Sequence, residues 1–157
     1  MVKQIPLSKG KVALVDDADF DWLNQWKWHC SVLGYAVRNA LPSEKVKKTV
    51  RMHRVILGTP DGVDTDHIDG NKINNQRANL RQASRTENGR NRKSHARSSS
   101  AFKGVYWFKA SKKWRAQIRV NKKLKDLGLF KLEIDAAKAY NAAAREHFGD
   151  FARLNEV

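Results

Sequence analysis

The segment DTDHIDGNKINNQRANLRQASRTENGRNRK, beginning at Asp64, sets one histidine among acidic residues, a run of amides and a trail of arginines. A loop needs turn formers, but it does not need His67. Hydrolysis of a phosphodiester requires an activated nucleophile, neutralised phosphate oxygens and a stabilised leaving oxygen. One neutral imidazole and one divalent cation can supply all three. Imidazole is a suitable base near pH 7, and a hard cation such as Mg²⁺ prefers carboxylate and amide oxygens to thiolate. Asp66 and His67, followed by a run of asparagines, offer such donors. Asp66 and His67 are adjacent, so on a continuous strand they point to opposite faces. Both can reach one phosphate only if the strand ends there, and the following Asp69-Gly70 pair is a turn former.

The elements that must position these residues follow in order. GVDTDHID reads as a short strand, DGNKINN as a loop and ANLRQA as a returning strand. SRTENGRNRK then offers Ser84 as N-cap with Glu87 three residues on, a capping-box signature for a helix. In order, spacing and its NLR and EN landmarks, the stretch 53–92 resembles the HNH endonuclease family, whose core is the ββα-metal fold. The resemblance implies that His67 is the general base and Asp66 a metal ligand. It implies that Asn79 positions the base and braces the loop. Asn88 stands where a histidine is frequent, as in H-N-N variants, and there the amide oxygen ligates the metal. That donor set favours Mg²⁺, with Mn²⁺ as an alternative, over zinc. His53, in MHRVILG, matches a recurrent histidine of this group without an assigned role. Asn91, one helical turn after Asn88, is a candidate to support the site or touch phosphate, and Asp69 reads as a turn former.

Residues 1–52 read as a scaffold that completes the nuclease module, giving a first domain of 1–93 with its core at 53–93. KVALVDD predicts a strand, and DADFDWLNQWKW places Phe20, Leu23, Trp26 and Trp28 at roughly helical spacing. SVLGYAVRNA and KKTVRMHRVILG predict strands flanking a polar turn. Trp22, Trp26 and Trp28 are expected in a core. This N-terminal region resembles those attached to phage and bacterial HNH proteins.

SHARSSSA, residues 94–101, is serine-rich and basic, and reads as a linker. Beyond it FKGVYWF, KWRAQIRV and KLKDLGLF are three strand-length segments, followed by the alanine-rich helix LEIDAAKAYNAAAREHFGD with Gly149 as its C-cap. KWRAQIRV alternates, so Arg115, Gln117 and Arg119 share one face, and such side chains can pair bidentately with guanine and adenine edges. Residues 102–155 resemble the APETALA2-type domain of plant ethylene-response factors, which binds DNA through a three-stranded sheet backed by a helix. On that resemblance Lys103, Arg115, Gln117 and Arg119 face DNA. Tyr106 and Phe108 stand where arginines are frequent, and Asp126 where tryptophan is, so the plant target sequence does not transfer.

Composition sets the wider frame. The 157 residues hold 31 Lys and Arg against 16 Asp and Glu, a net charge of +15, with the excess heaviest toward the C-terminus. A polyanion is the natural partner, because each neutralised phosphate releases condensed counterions. No apolar run approaches the roughly 20 residues of a membrane span, and no secretory signal is expected at the start. The single Cys30 excludes an internal disulfide framework and a multi-cysteine zinc site, which fits a reducing cytoplasm, bacterial or phage-infected. The expected fold class is α+β: a scaffold, a ββα-metal module, then three antiparallel strands on one helix. The expected activity is Mg²⁺-dependent cleavage of double-stranded DNA by a monomer or homodimer, nickase-like and of the homing-endonuclease kind. The alternative is a non-catalytic DNA-binding regulator that keeps the nuclease fold.

Overall fold

β1 (Val2–Pro6) pairs antiparallel with β2 (Val12–Asp16), and Ile5, Ala13 and Val15 turn inward. Alternating burial builds β2, and β1 adds one inward residue to it. α1 (Asp17–Asn24) follows at once, with Asp17 and Asp19 in its first turn, where the helix dipole favours negative charge. The helical spacing in the sequence runs on to Trp28, but the helix stops at Asn24. The Trp28 indole N–H instead donates to the Leu23 carbonyl at 2.8 Å, satisfying an end-of-helix acceptor. Trp28 is buried, and Trp22 and Trp26 pack partly buried against the same core. The computed structural model describes residues 1–44, 48–91 and 98–157. These divide into two compact units, Met1–Asn88 and Gly89–Val157. Positions 94–97 of the expected linker lie outside the described residues.

In the first unit β3 (His29–Cys30), β4 (Ala36–Asn39) and β5 (Thr49–Arg51) form an antiparallel sheet in chain order. SVLGYAVRNA supplies a strand only from Ala36; before it, Gly34 N–H closes a turn on the Ser31 carbonyl at 2.9 Å. The second expected strand is also shorter, because α2 (Met52–Leu57) takes over after Arg51. Met52 and Ile56, one helical turn apart, both enter the core, and Gly58 at φ 58° closes the helix on the Arg54 and Val55 carbonyls. β6 (Asp64–His67) and β7 (Leu80–Ala83) make a separate hairpin, and α3 (Arg85–Arg90) follows it. The strand–loop–strand–helix order expected from the sequence is thus present.

The second unit holds β8 (Val105–Phe108), β9 (Lys113–Val120), β10 (Lys123–Phe130) and α4 (Glu133–Phe148). The strands form one antiparallel sheet in the order β10-β9-β8. Ala116 and Ile118 of β9 pack with Ala136, Ala137, Tyr140 and Ala144 of α4, whose small side chains let helix and sheet approach. The fold class is α+β, as the pattern of elements predicted.

Gly104 is fixed by that close approach. Its φ is +75°, and an added Cβ would lie 2.1 Å from the buried Tyr140 ring and 2.6 Å from the Gln117 carbonyl. Gly104→Ala is therefore expected to destabilise the second unit by about 3 kcal/mol, from overpacking plus backbone strain. Urea unfolding followed by tryptophan fluorescence measures this, and an unchanged midpoint would refute the packing argument.

Candidate active site

The hairpin register fixes which side chains meet. Asp64 lies opposite Ala83, Asp66 opposite Arg81, and His67 opposite Leu80. β6 ends at His67, where the Gly70 N–H turns back onto the His67 carbonyl at 2.8 Å. His67 is the last strand residue, so within the strand it and Asp66 still point to opposite faces. Side chains alternate, so Asp64, Asp66 and Arg81 share one face, and Thr65 and His67 the other.

The first face carries two carboxylates, a guanidinium and one amide contributed by α3. Asp66 is buried, and Arg81 Nε and Nη2 both donate to its Oδ2, at 3.0 and 2.7 Å. α3 is fixed at its start by the capping box: the Ser84 N–H donates to a Glu87 carboxylate oxygen at 2.8 Å, and the Glu87 N–H donates to Ser84 Oγ at 3.2 Å. One residue on, Asn88 Nδ2 donates to Asp64 Oδ2 at 3.0 Å. Among the described residues no three His, Cys, Asp or Glu side chains form a ligand group. The oxygen donors on this face are the Asp64 and Asp66 carboxylates, with the Asn88 amide beside Asp64. Carboxylate and amide oxygens are hard donors, so these residues fit a cation of the Mg²⁺ class.

The second face surrounds the imidazole. His67 is 4% exposed and packs edge-on to His53, with ring centroids 4.9 Å apart, and beside Tyr35 at 5.9 Å. Its Nε2 lies 3.5 Å from Asn75 Oδ1. In the tautomer protonated on Nε2, this oxygen accepts from the ring and the lone pair is on Nδ1. Burial pushes the His67 imidazole below its ordinary range, against the opposing pull of Asn75, Asp69 and Asp66, so the neutral form prevails. Lys72 lies over the Tyr35 ring at 4.7 Å and Arg51 at 5.9 Å, placing two cations beside this cluster.

The scaffold holds the loop that carries Asn75. Leu14 of β2 donates to the Ile73 carbonyl at 2.8 Å and accepts from the Asn75 N–H at 2.7 Å. Asp16 accepts from the Arg77 N–H at 2.8 Å, and Arg77 grips the buried Asp19 at 2.8 and 2.7 Å. Asn79 braces the turn: its Oδ1 accepts from the Asp69 N–H at 3.0 Å, and its Nδ2 donates to Asp69 Oδ1 at 2.9 Å and the Asn74 carbonyl at 2.8 Å. Asp69 also accepts from the Asn71 N–H at 2.7 Å, the turn-forming role read from the sequence. Burial raises its carboxyl, but the donors from Asn74, Asn71 and Asn79 outweigh this and hold it below the ordinary range. The amide beside the imidazole is therefore Asn75, which the sequence reading passed over along with Tyr35, Asp64 and Arg81. A strict hairpin register would have found Arg81, and the period of two would have found Asp64. Asn75 has no local signal to set it apart from its neighbouring amides.

His53 gives this cluster a measurable acid sensitivity. Burial, with the nearby charges of His67, Arg51 and Arg54, holds its imidazole at about 3 against an ordinary 6.5. Between those values the unfolded chain binds a proton that the folded chain refuses, so stability falls as pH drops through that window. By pH 5 the loss is expected to be about 2 kcal/mol relative to neutral pH. His53→Phe should reduce the difference in urea midpoints between pH 7.5 and pH 5, with His67 supplying the remainder, and an undiminished slope would place the sensitivity elsewhere.

Asn91 is buried and belongs to the second unit. There Lys103 precedes β8, and its ammonium donates to the Arg90 carbonyl. Burial, with Arg153 adding to it, lowers Lys103 to about 8. Arg115, Gln117 and Arg119 lie on the sheet face opposite α4. Tyr106 pairs across from Arg115, and Asp126 across from Gln117. Asp126 accepts from Arg115 Nε at 3.0 Å, and the guanidinium lies 5.1 Å from the Phe108 ring centre.

Comparison with known proteins identifies a family. Residues 51–90 match the HNH endonuclease family. Over 149 residues, 95% of this chain, the sequence is 30% identical to an uncharacterized HNH endonuclease of Acanthamoeba polyphaga mimivirus, 77% of which is covered. No solved structure matches. With its hairpin, its helix and a matching relative along nearly its whole length, the chain belongs to the HNH endonuclease family.

Proposed function

We propose that this protein is a divalent-metal-dependent endonuclease that nicks double-stranded DNA, with His67 as general base and Asp66 and Asn88 as metal ligands. The observation that carries the reading is the end of β6, where a buried carboxylate and a neutral imidazole stand on successive residues immediately before the Gly70 turn. His67 takes a proton from the attacking water at Nδ1, while Asn75 steadies Nε2. Asn79 and Asp69 hold the connecting turn, and β2 holds the loop, so the base keeps its place. A divalent ion on Asp66 and Asn88 would neutralise charge on the phosphate and on the departing 3′ oxygen. One such site cuts one strand, so a monomer nicks, and a double-strand break requires a homodimer or two successive events.

The second unit is the DNA-holding element of the same proposal. Its sheet has one face packed on α4 and another carrying Tyr106, Arg115, Gln117 and Arg119, a composition suited to base edges and phosphates. This agrees with its resemblance to APETALA2-type domains. Arg115→Ala and Arg119→Ala are each expected to weaken DNA binding about tenfold, measured by fluorescence anisotropy at fixed salt. The activity itself is tested on supercoiled plasmid: Mg²⁺ or Mn²⁺ should yield open circles, and EDTA should stop the reaction. Tight DNA binding without nicking under any divalent metal would favour the regulator reading instead.

A further inference from the structure

Two opposite charges meet at this site largely out of water. The Asp66 side chain is 6% exposed and that of Arg81 16%, and Arg81 Nε and Nη2 each donate to Asp66 Oδ2. A carboxylate this dehydrated needs a counter-charge, because an unpaired buried ion is strongly destabilising. Arg81 stands directly across the hairpin from Asp66, so its main chain is fixed by the strand pairing. Only its side chain is able to withdraw. The same face carries Asp64, engaged by the Asn88 amide nitrogen.

A divalent ion on Asp66 and Asn88 would bring two more positive charges into this space. Like charges a few ångströms apart in a partly dehydrated site repel strongly. Guanidinium and ion therefore compete for one carboxylate. We propose that Arg81 is the resting counter-ion of Asp66, and that metal entry exchanges the arginine for the ion, so that Arg81 sets the metal affinity of the site. The inference rests on the assignment of Asp66 and Asn88 as ligands. Before metal arrives, Arg81 holds the Asp66 carboxylate in place at the strand end. The cost of displacing it makes metal binding weaker than the ligand set alone would give.

The test is a Mn²⁺ titration of the full chain without DNA, with free ion read by electron paramagnetic resonance. Arg81→Gln is expected to bind Mn²⁺ about tenfold more tightly than the wild type, the scale of relief from one partly buried competing charge. Arg81→Lys, which keeps the charge, should stay near the wild type, and Asp66→Asn should lose binding. Wild-type or weaker affinity in Arg81→Gln, with Asp66→Asn still defective, overturns the role of Arg81 alone. Equal binding by Asp66→Asn and wild type removes the ligand assignment and the inference with it. A measurement on the unmodified chain guards against misfolding of the variants. Saturating Mg²⁺ should shift the Arg81 Nε–H resonance, and an unmoved resonance overturns the exchange.

Discussion

His67→Ala is expected to lower metal-dependent nicking of supercoiled DNA by about 10³-fold, with DNA affinity within about twofold of the wild type. The two effects separate because His67 is nearly enclosed, at 4% exposure, while DNA affinity depends on exposed cations. Its imidazole is held below its ordinary range chiefly by burial, so it is neutral and proton-accepting at physiological pH. Alanine removes the lone pair without removing the strand end, since the Gly70-to-His67 turn bond is made by the main chain. Alanine also leaves a small buried space beside His53 and Tyr35. Added imidazole should enter it and restore part of the rate. Partial rescue by imidazole, with Mn²⁺ binding unchanged, identifies lost proton transfer and not a collapsed site. A His67→Ala protein that nicks at the wild-type rate would move the base elsewhere.

The parts of this site that were legible in the sequence are those written locally. The Asp69-Gly70 turn and the Ser84/Glu87 capping box each declare themselves within four residues, and both form as expected. KWRAQIRV shows its two faces by alternation, and Ala116 and Ile118 are buried as that pattern requires. Other features depend on partners distant in sequence. β1 buries only Ile5 among its five residues, so VKQIP carries no alternation to read. In KKTVRMHRVILG the β-branched Val50 argues for a strand, but the core prefers Met52 and Ile56 one helical turn apart. Asn75 is selected over the adjacent Asn74 by main-chain bonds from Leu14, some 60 residues earlier. The tertiary context that chooses it cannot be read from DGNKINN itself.

Asn88→Ala should cost nicking activity about 10²- to 10³-fold, because on the proposed assignment it deletes one of the two protein oxygen ligands. The side chain is aimed by two devices that the substitution leaves intact. The Ser84/Glu87 box fixes the start of α3, and the Asn88 N–H bonds the Ser84 carbonyl at 2.9 Å. Asn88 Nδ2 then donates to Asp64 Oδ2, which settles how the amide is turned. Asn88→Asp separates charge from geometry. It keeps an oxygen donor but replaces the N–H···O bond to Asp64 with a contact between two carboxylates, which repel. Without metal the aspartate variant should therefore be less stable than the alanine variant, and Mg²⁺ should restore more stability to it than to alanine. Thermal unfolding with and without Mg²⁺ reads this directly. If Asn88 were only a surface helix residue, both variants would nick at the wild-type rate and Mg²⁺ would shift their melting equally. A loss of nicking in Asn88→Ala with undiminished Mn²⁺ binding would give the amide a role in holding Asp64 and the helix, leaving the metal to Asp66 and its own neighbours.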